Sequence, residues 1–215
     1  TEPLTLVGPK GLVKVYEGLK TICPELPFQV NIVELEPNES INISVFNINS
    51  LKVNHKITCY AYRVDVKRAG RFNVEKAIAL NVPKKVWSTL QKQPSVEFEG
   101  KVYTSDMVLG DDRKGLSVSY CTDTRPVDAL PNFVKDSDLF ICEGMYGEEE
   151  KINKAREYKH MLFSEAARIA KQGNVKEMWL THFSPAMPFP EMYIKNAKNI
   201  FENTLLGQDR NSVSL

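Results

Sequence analysis

Between Phe28 and Val66 the chain alternates apolar and polar side chains in three stretches, 28–35, 41–48 and 56–66. That is the period of strands with one buried face, which an all-helical fold does not tolerate. Pro37-Asn38-Glu39 reads as a turn joining the first two stretches. Ahead of them, Leu4–Pro9 is a short apolar run stopped by Gly-Pro. Leu12, Val15, Tyr16, Leu19 and Ile22 then keep helical spacing up to Pro24. Two short helices are expected at about 74–80 and after Pro83, and a hairpin around Gly100. Beyond residue 115 the texture becomes strand–helix–strand–helix. Core strands at 116–121 and 139–142 precede a long helix at about 151–171, a strand at 175–180 and a helix at about 191–205. Sheets with helices on the outside, a layered α/β (α+β) domain, are the architecture this order predicts.

A chain of 215 residues buries a sizeable core without disulfides. Its four cysteines form no C-x-x-C pair and read as thiols of a reducing compartment, which predicts a cytoplasmic protein. No run approaches the roughly 18 apolar residues of a membrane span, and no signal-peptide pattern is present. Lys and Arg total 28 against 27 acids, a net charge of +1, which excludes a generally polycationic nucleic-acid binder. The balance hides a local excess. Residues 67–92 carry seven basic side chains (Lys67, Arg68, Arg71, Lys76, Lys84, Lys85 and Lys92) against Glu75 alone, a local +6 that leaves −5 for the rest. Such a segment is either a solvated loop or a phosphate-binding patch.

All three histidines lie near element ends or on a helix. His55 sits where a strand begins, His182 follows the apolar strand 175–180, and His160 falls within the expected long helix. Asp123 follows the strand 116–121. Residues just past strand ends project into the crevice where α/β proteins build their sites, and His and Asp suit zinc or manganese. Each has a plain alternative. His55 reads as a polar strand residue, His160 as a surface residue, and Thr122-Asp123-Thr124 as a turn. The sequence gaps between His55, Asp123 and His182 match no metal-binding spacing.

Six segments taken together carry more. Gly8-Pro9-Lys10-Gly11-Leu12, His55–Val64, Tyr120-Cys-Thr-Asp-Thr-Arg125, Asp138–Gly147, His160–Lys171 and Leu180-Thr-His-Phe-Ser-Pro185 occur in the order found in ribonuclease Z. The chain thus resembles that tRNA 3′-processing endonuclease family of the metallo-β-lactamase superfamily. The resemblance implies an αβ/βα sandwich and a two-metal phosphodiesterase acting on precursor tRNA as a homodimer. It implies His55 as a ligand of the first metal, Asp123 as the bridging ligand, His182 as a ligand of the second and His160 as the group protonating the leaving oxygen. Two divalent ions about 4 Å apart, zinc first and manganese as the alternative, fit such chemistry. The basic segment, expected as an inserted arm over 67–96, corresponds to the family arm that grips tRNA, with Lys67, Arg68, Arg71, Lys84 and Lys85 as RNA contacts.

Three departures qualify what the resemblance implies. The family's His-x-His-x-Asp-His signature, which supplies most metal ligands, is absent from these residues. The expectation is therefore a single domain over 1–215, incomplete at its N-terminus, that as a fragment holds metal weakly or not at all and is inactive alone. Asn81–Trp87 stands where many relatives carry a Gly-Pro-rich tip, and Ser184-Pro185-Ala186-Met187 replaces Ser-x-Arg-Tyr after His182. The alternatives are another metallo-β-lactamase-fold phosphodiesterase or arylsulfatase-like hydrolase of small esters, and a non-catalytic RNA-binding or dimerisation fragment.

Overall fold

The computed structural model describes residues 2–215. The chain opens with strand β1 (Leu4–Pro9) and helix α1 (Leu12–Lys20), followed by β2 (Val30–Leu35), which pairs with β1 in parallel. Gly11 starts the helix at φ 102°, a conformation glycine adopts without steric cost. Glu34 on β2 accepts the N–H groups of Gly11 and Val13 at 2.8 and 3.0 Å, so a carboxylate occupies the positive end of the helix.

Residues 41–48, expected as one strand, fold as a hairpin: β3 (Ser40–Ile43) and β4 (Phe46–Lys52) with a two-residue turn at Ser44-Val45. Ser44 takes φ 54° there, so a turn forms where neither Gly nor Asn announces one. The turn at 37–39 therefore does not close a hairpin, because β2 and β3 belong to different sheets. Next, β5 (Tyr60–Arg68) starts later than expected, leaving 53–59 as a loop.

The chain then forms α2 (Val74–Ala79), α3 (Trp87–Leu90) and the hairpin β6 (Ser95–Phe98) and β7 (Lys101–Thr104), which turns through Glu99 and Gly100, both at positive φ. These elements lie in a compact unit, 66–116, with its own apolar cluster of Ala77, Val82, Val86, Leu90, Tyr103 and Val108. The unit extends past the 67–96 expected for an inserted segment, because Tyr103 and Val108 pack in the same cluster.

Residues 2–65 and 117–215 form the other unit. Into it run β8 (Arg113–Cys121), α4 (Leu130–Phe133), β9 (Leu139–Glu143), α5 (Ile152–Tyr158), α6 (Phe163–Gln172), β10 (Glu177–Thr181), α7 (Ile194–Lys198) and β11 (Thr204–Leu206). A mixed seven-stranded sheet has the order β11-β10-β9-β8-β5-β4-β3, with β8 to β11 parallel. Helix α6 packs on β9 and β10 through Phe163, Ala166, Ala167, Ile169 and Ala170, and its alanines let it approach closely. The layered α/β architecture expected from the element order is present.

Two helices differ from expectation. The helix expected over 151–171 is broken: Lys159 takes φ 61°, and α5 and α6 are separate. The helix expected over 191–205 reduces to a 3₁₀ turn at Pro190–Met192 and α7, after which Thr204–Leu206 pairs with β10 as an edge strand. Thr204 is buried and its hydroxyl donates to the Phe201 carbonyl, so the apolar spacing of Ile200, Phe201 and Leu205 serves a turn and a strand. Among the described residues no helix is long and apolar enough to cross a membrane.

Candidate active site

Strand ends and the break between α5 and α6 deliver the titratable side chains. His55 lies in the loop after β4, Asp123 two residues beyond β8, Glu143 at the end of β9, and His182 directly after β10. His160 lies in the break, not on a helix as expected. Asp123 and His182 adopt positive φ, 50° and 59°, as does Lys159 beside His160. Left-handed backbone at non-glycine residues costs about 1–3 kcal/mol each. Three such residues beside the same cluster mean that the surrounding structure enforces the turns.

The resulting distances are short. His182 Nε2 stands 2.8 Å from Asp123 Oδ1, and His160 Nδ1 stands 3.9 Å from the same oxygen. The ring of His160 lies 5.3 Å from that of His182 and 5.1 Å from that of His55. Ligand atoms of Asp123, His160 and His182 all fall within 4.8 Å of one another. His55 adjoins this trio through His160 and is not a member of it.

Glu143, which is not among the expected site residues, ties the cluster together. It is wholly buried, and its Oε1 accepts the Thr124 N–H at 2.5 Å while its Oε2 accepts the Met161 N–H at 2.9 Å. His160 Nδ1 lies 3.1 and 3.2 Å from the two oxygens. One carboxylate thus binds the loop carrying Asp123 and the segment carrying His160. The signal available in the sequence was a charged residue closing an otherwise apolar strand, Leu139-Phe-Ile-Cys-Glu143.

These partners also fix which ring nitrogens carry protons. A carboxylate and a carbonyl only accept, so His160 Nδ1 donates to Glu143, and His55 Nδ1 donates to the Lys159 carbonyl at 3.2 Å. Each ring keeps Nε2 for other work. The hydrogen bond donated to Glu143 raises the His160 pKa above 6.5; burial opposes the shift, and the charges of Glu143 and Asp123 add to it. The imidazolium therefore persists above pH 6.5, and the stability it contributes is present below that pH and lost as pH rises through the higher folded value. Glu143→Gln removes the leading cause. An NMR titration of the His160 ring is expected to give a midpoint above 6.5 in the parent protein and a lower one in this variant.

The donor set suits a divalent metal. Two imidazoles and a carboxylate converge within reach of one ion, and His182 Nε2 approaches Asp123 Oδ1 to 2.8 Å. Three donors are fewer than two ions require.

The other expected residues lie in unit 66–116. Lys67 and Arg68 end β5, and Arg71 follows it, all exposed. Lys84 and Lys85 occupy a 3₁₀ turn leading into α3. Their ammonium groups lie 5.9 Å from the Trp87 ring and 5.8 Å from the Phe98 ring. Aromatic faces hold both cations at the surface.

No protein-family model matches the chain. It is 56% identical over 211 residues to the ribonuclease Z of Clostridium kluyveri, an alignment covering 97% of this chain and 70% of that protein. Among solved structures, the short form of human tRNase Z superposes with a TM-score of 0.63 at 19% identity, covering all of this chain and 68% of that one. The metallo-β-lactamase fold protein YhfI from Bacillus subtilis superposes with a TM-score of 0.59 at 20% identity, covering 94% and 61%. The superpositions establish a metallo-β-lactamase fold, and the identity to a curated relative over nearly the whole chain places this protein in the ribonuclease Z family.

Proposed function

We propose that the protein is a metal-dependent endoribonuclease that removes 3′ trailers from precursor tRNA by hydrolysing one phosphodiester bond. The observation that carries this reading is the convergence of Asp123, His182 and a Glu143-bound His160 at the strand ends of a ribonuclease Z homologue. In this reading His55, Asp123 and His182 would contribute part of the ligand set of the divalent ions, with Asp123 as the ligand they share. Zinc is the first choice for these donors and manganese the second. Bound there, two divalent ions would activate water at neutral pH and neutralise charge on the phosphate.

The chain's own groups account for the proton. His160 donates Nδ1–H to Glu143, so its Nε2–H faces away from that carboxylate and protonates the oxygen that leaves phosphorus. In this reading His160 stands outside the ligand set because its part is to carry that proton, with Nδ1–H committed to Glu143. Glu143 favours the charged ring and fixes its orientation, as an outer partner does for a reactive group. In the same reading Lys67, Arg68, Arg71, Lys84 and Lys85 bind the tRNA backbone, and the enzyme works as a cytoplasmic homodimer.

Charge on the 66–116 unit separates tRNA binding from chemistry. Lys84→Glu with Lys85→Glu, made in the full-length gene product, is expected to raise KM for precursor tRNA about tenfold or more, since phosphate contacts dominate affinity. Hydrolysis of bis(p-nitrophenyl) phosphate stays unchanged. Equal loss on both substrates contradicts the assignment of these lysines. A protein that hydrolyses the small ester and leaves precursor tRNA intact supports the small-ester hydrolase instead.

A further inference from the structure

The break between α5 and α6 frees backbone groups that a continuous helix satisfies internally, and Arg125, Glu165 and Glu143 take them up. Arg125 Nη1 donates to the His160 carbonyl at 2.6 Å and to Glu165 Oε2 at 2.7 Å, while Nη2 pairs with Glu165 Oε1. Both side chains are largely buried, at 14% and 12% exposure. Glu165 Oε2 also accepts the Leu162 N–H at 2.9 Å, so the pair holds the segment 160–162 at both ends.

The same residue reaches the His55 loop. The Arg125 backbone N–H donates to the Asn54 carbonyl at 3.0 Å, and Thr124 Oγ1 accepts the Asn54 N–H at 2.9 Å. From the other side, the Lys159 carbonyl accepts His55 Nδ1–H and the Lys159 ammonium donates to the His55 carbonyl, each at 3.2 Å. Arg125 thus lies two residues from Asp123 and contacts the supports of both His160 and His55. Glu143 fixes the ring of His160, whereas Arg125 fixes its backbone.

We infer that Arg125, paired with Glu165, is a positioning residue that sets the 160–162 segment and thereby places the imidazole of His160 relative to Asp123. This role rests on the hydrolytic reading of the site. A guanidinium is needed because its planar fork serves a carboxylate bidentately and a carbonyl at once, whereas an ammonium is a point charge on a flexible stem.

The test uses the full-length gene product with Arg125→Gln, Arg125→Lys and Glu165→Gln. A misplaced acid matters when the leaving oxygen is a ribose alkoxide and little when it is p-nitrophenolate, which leaves without a proton. Arg125→Gln is expected to lower kcat on precursor tRNA about 10- to 100-fold, the usual cost of losing an outer partner of a reactive group. KM for tRNA and hydrolysis of bis(p-nitrophenyl) phosphate are expected to stay near parent values, and Arg125→Lys to recover part of kcat. Glu165→Gln, which preserves shape, gives the same pattern more weakly and serves if the Gln variant at 125 does not fold. Equal loss on both substrates, or no loss on tRNA, overturns the inference.

If the parent protein cleaves neither substrate, the hydrolytic reading has failed, and hydrogen exchange decides the placement separately. The Met161 and Leu162 amides are then expected to lose protection in Arg125→Gln while the rest of α6 keeps it. Unchanged protection at both amides overturns the role of Arg125.

Discussion

Replacing His160 with alanine is expected to lower kcat for precursor tRNA by about 10²–10⁴-fold, the range that positioned general acids contribute. Hydrolysis of bis(p-nitrophenyl) phosphate should fall far less, since its leaving group departs as a stable anion. The direction follows from the environment of the ring. Glu143 is wholly buried, accepts Nδ1–H, and raises the His160 pKa above its usual value, which favours the charged ring that an acid requires. A leaving-group dependence absent from the parent and strong in the variant is the signature of a lost acid. Equal loss on both substrates would instead make His160 a metal ligand, a role its distance from Asp123 and His182 permits.

Asp123→Asn is expected to remove activity on tRNA and small ester alike, by more than the roughly 10- to 100-fold that an outer-partner change costs. Asparagine tolerates the φ of 50° at this position and preserves side-chain shape, so the variant removes mainly charge. Without that charge the oxygen beside His182 Nε2 no longer neutralises a cation, and metal content measured by atomic emission is expected to fall with activity. An Asn variant with full metal content and parent activity contradicts the bridging role.

These two residues differ in how legible they were. Asp123 was visible because a polar residue directly after an apolar strand has few uses beyond a turn or a site, and the structure places it after β8. His182 was visible for the same reason after β10. The environment of His160 was hidden. Helical periodicity runs through 151–171 unbroken, and what ends α5 is Lys159 in a left-handed conformation, with Glu143, Arg125 and Glu165 holding the groups beyond it. Those partners come from elsewhere in the chain, so no local pattern announces them. Ser44 is a second case, since its turn carries no glycine or asparagine and the alternation on either side reads as one strand. The +6 between residues 67 and 92 was plain from composition, but the reach of the unit to Leu116 depends on an apolar cluster that includes Tyr103 and Val108.

The central claim is that these strand-end residues serve metal-dependent cleavage of tRNA 3′ ends. Incubating the metal-loaded full-length gene product with a precursor tRNA carrying a 3′ trailer, and mapping the product ends, tests it most directly. The expected result is one trailer fragment and one tRNA of mature length, abolished by a chelator and restored by zinc or manganese. An intact precursor, or cleavage indifferent to the chelator, would contradict it.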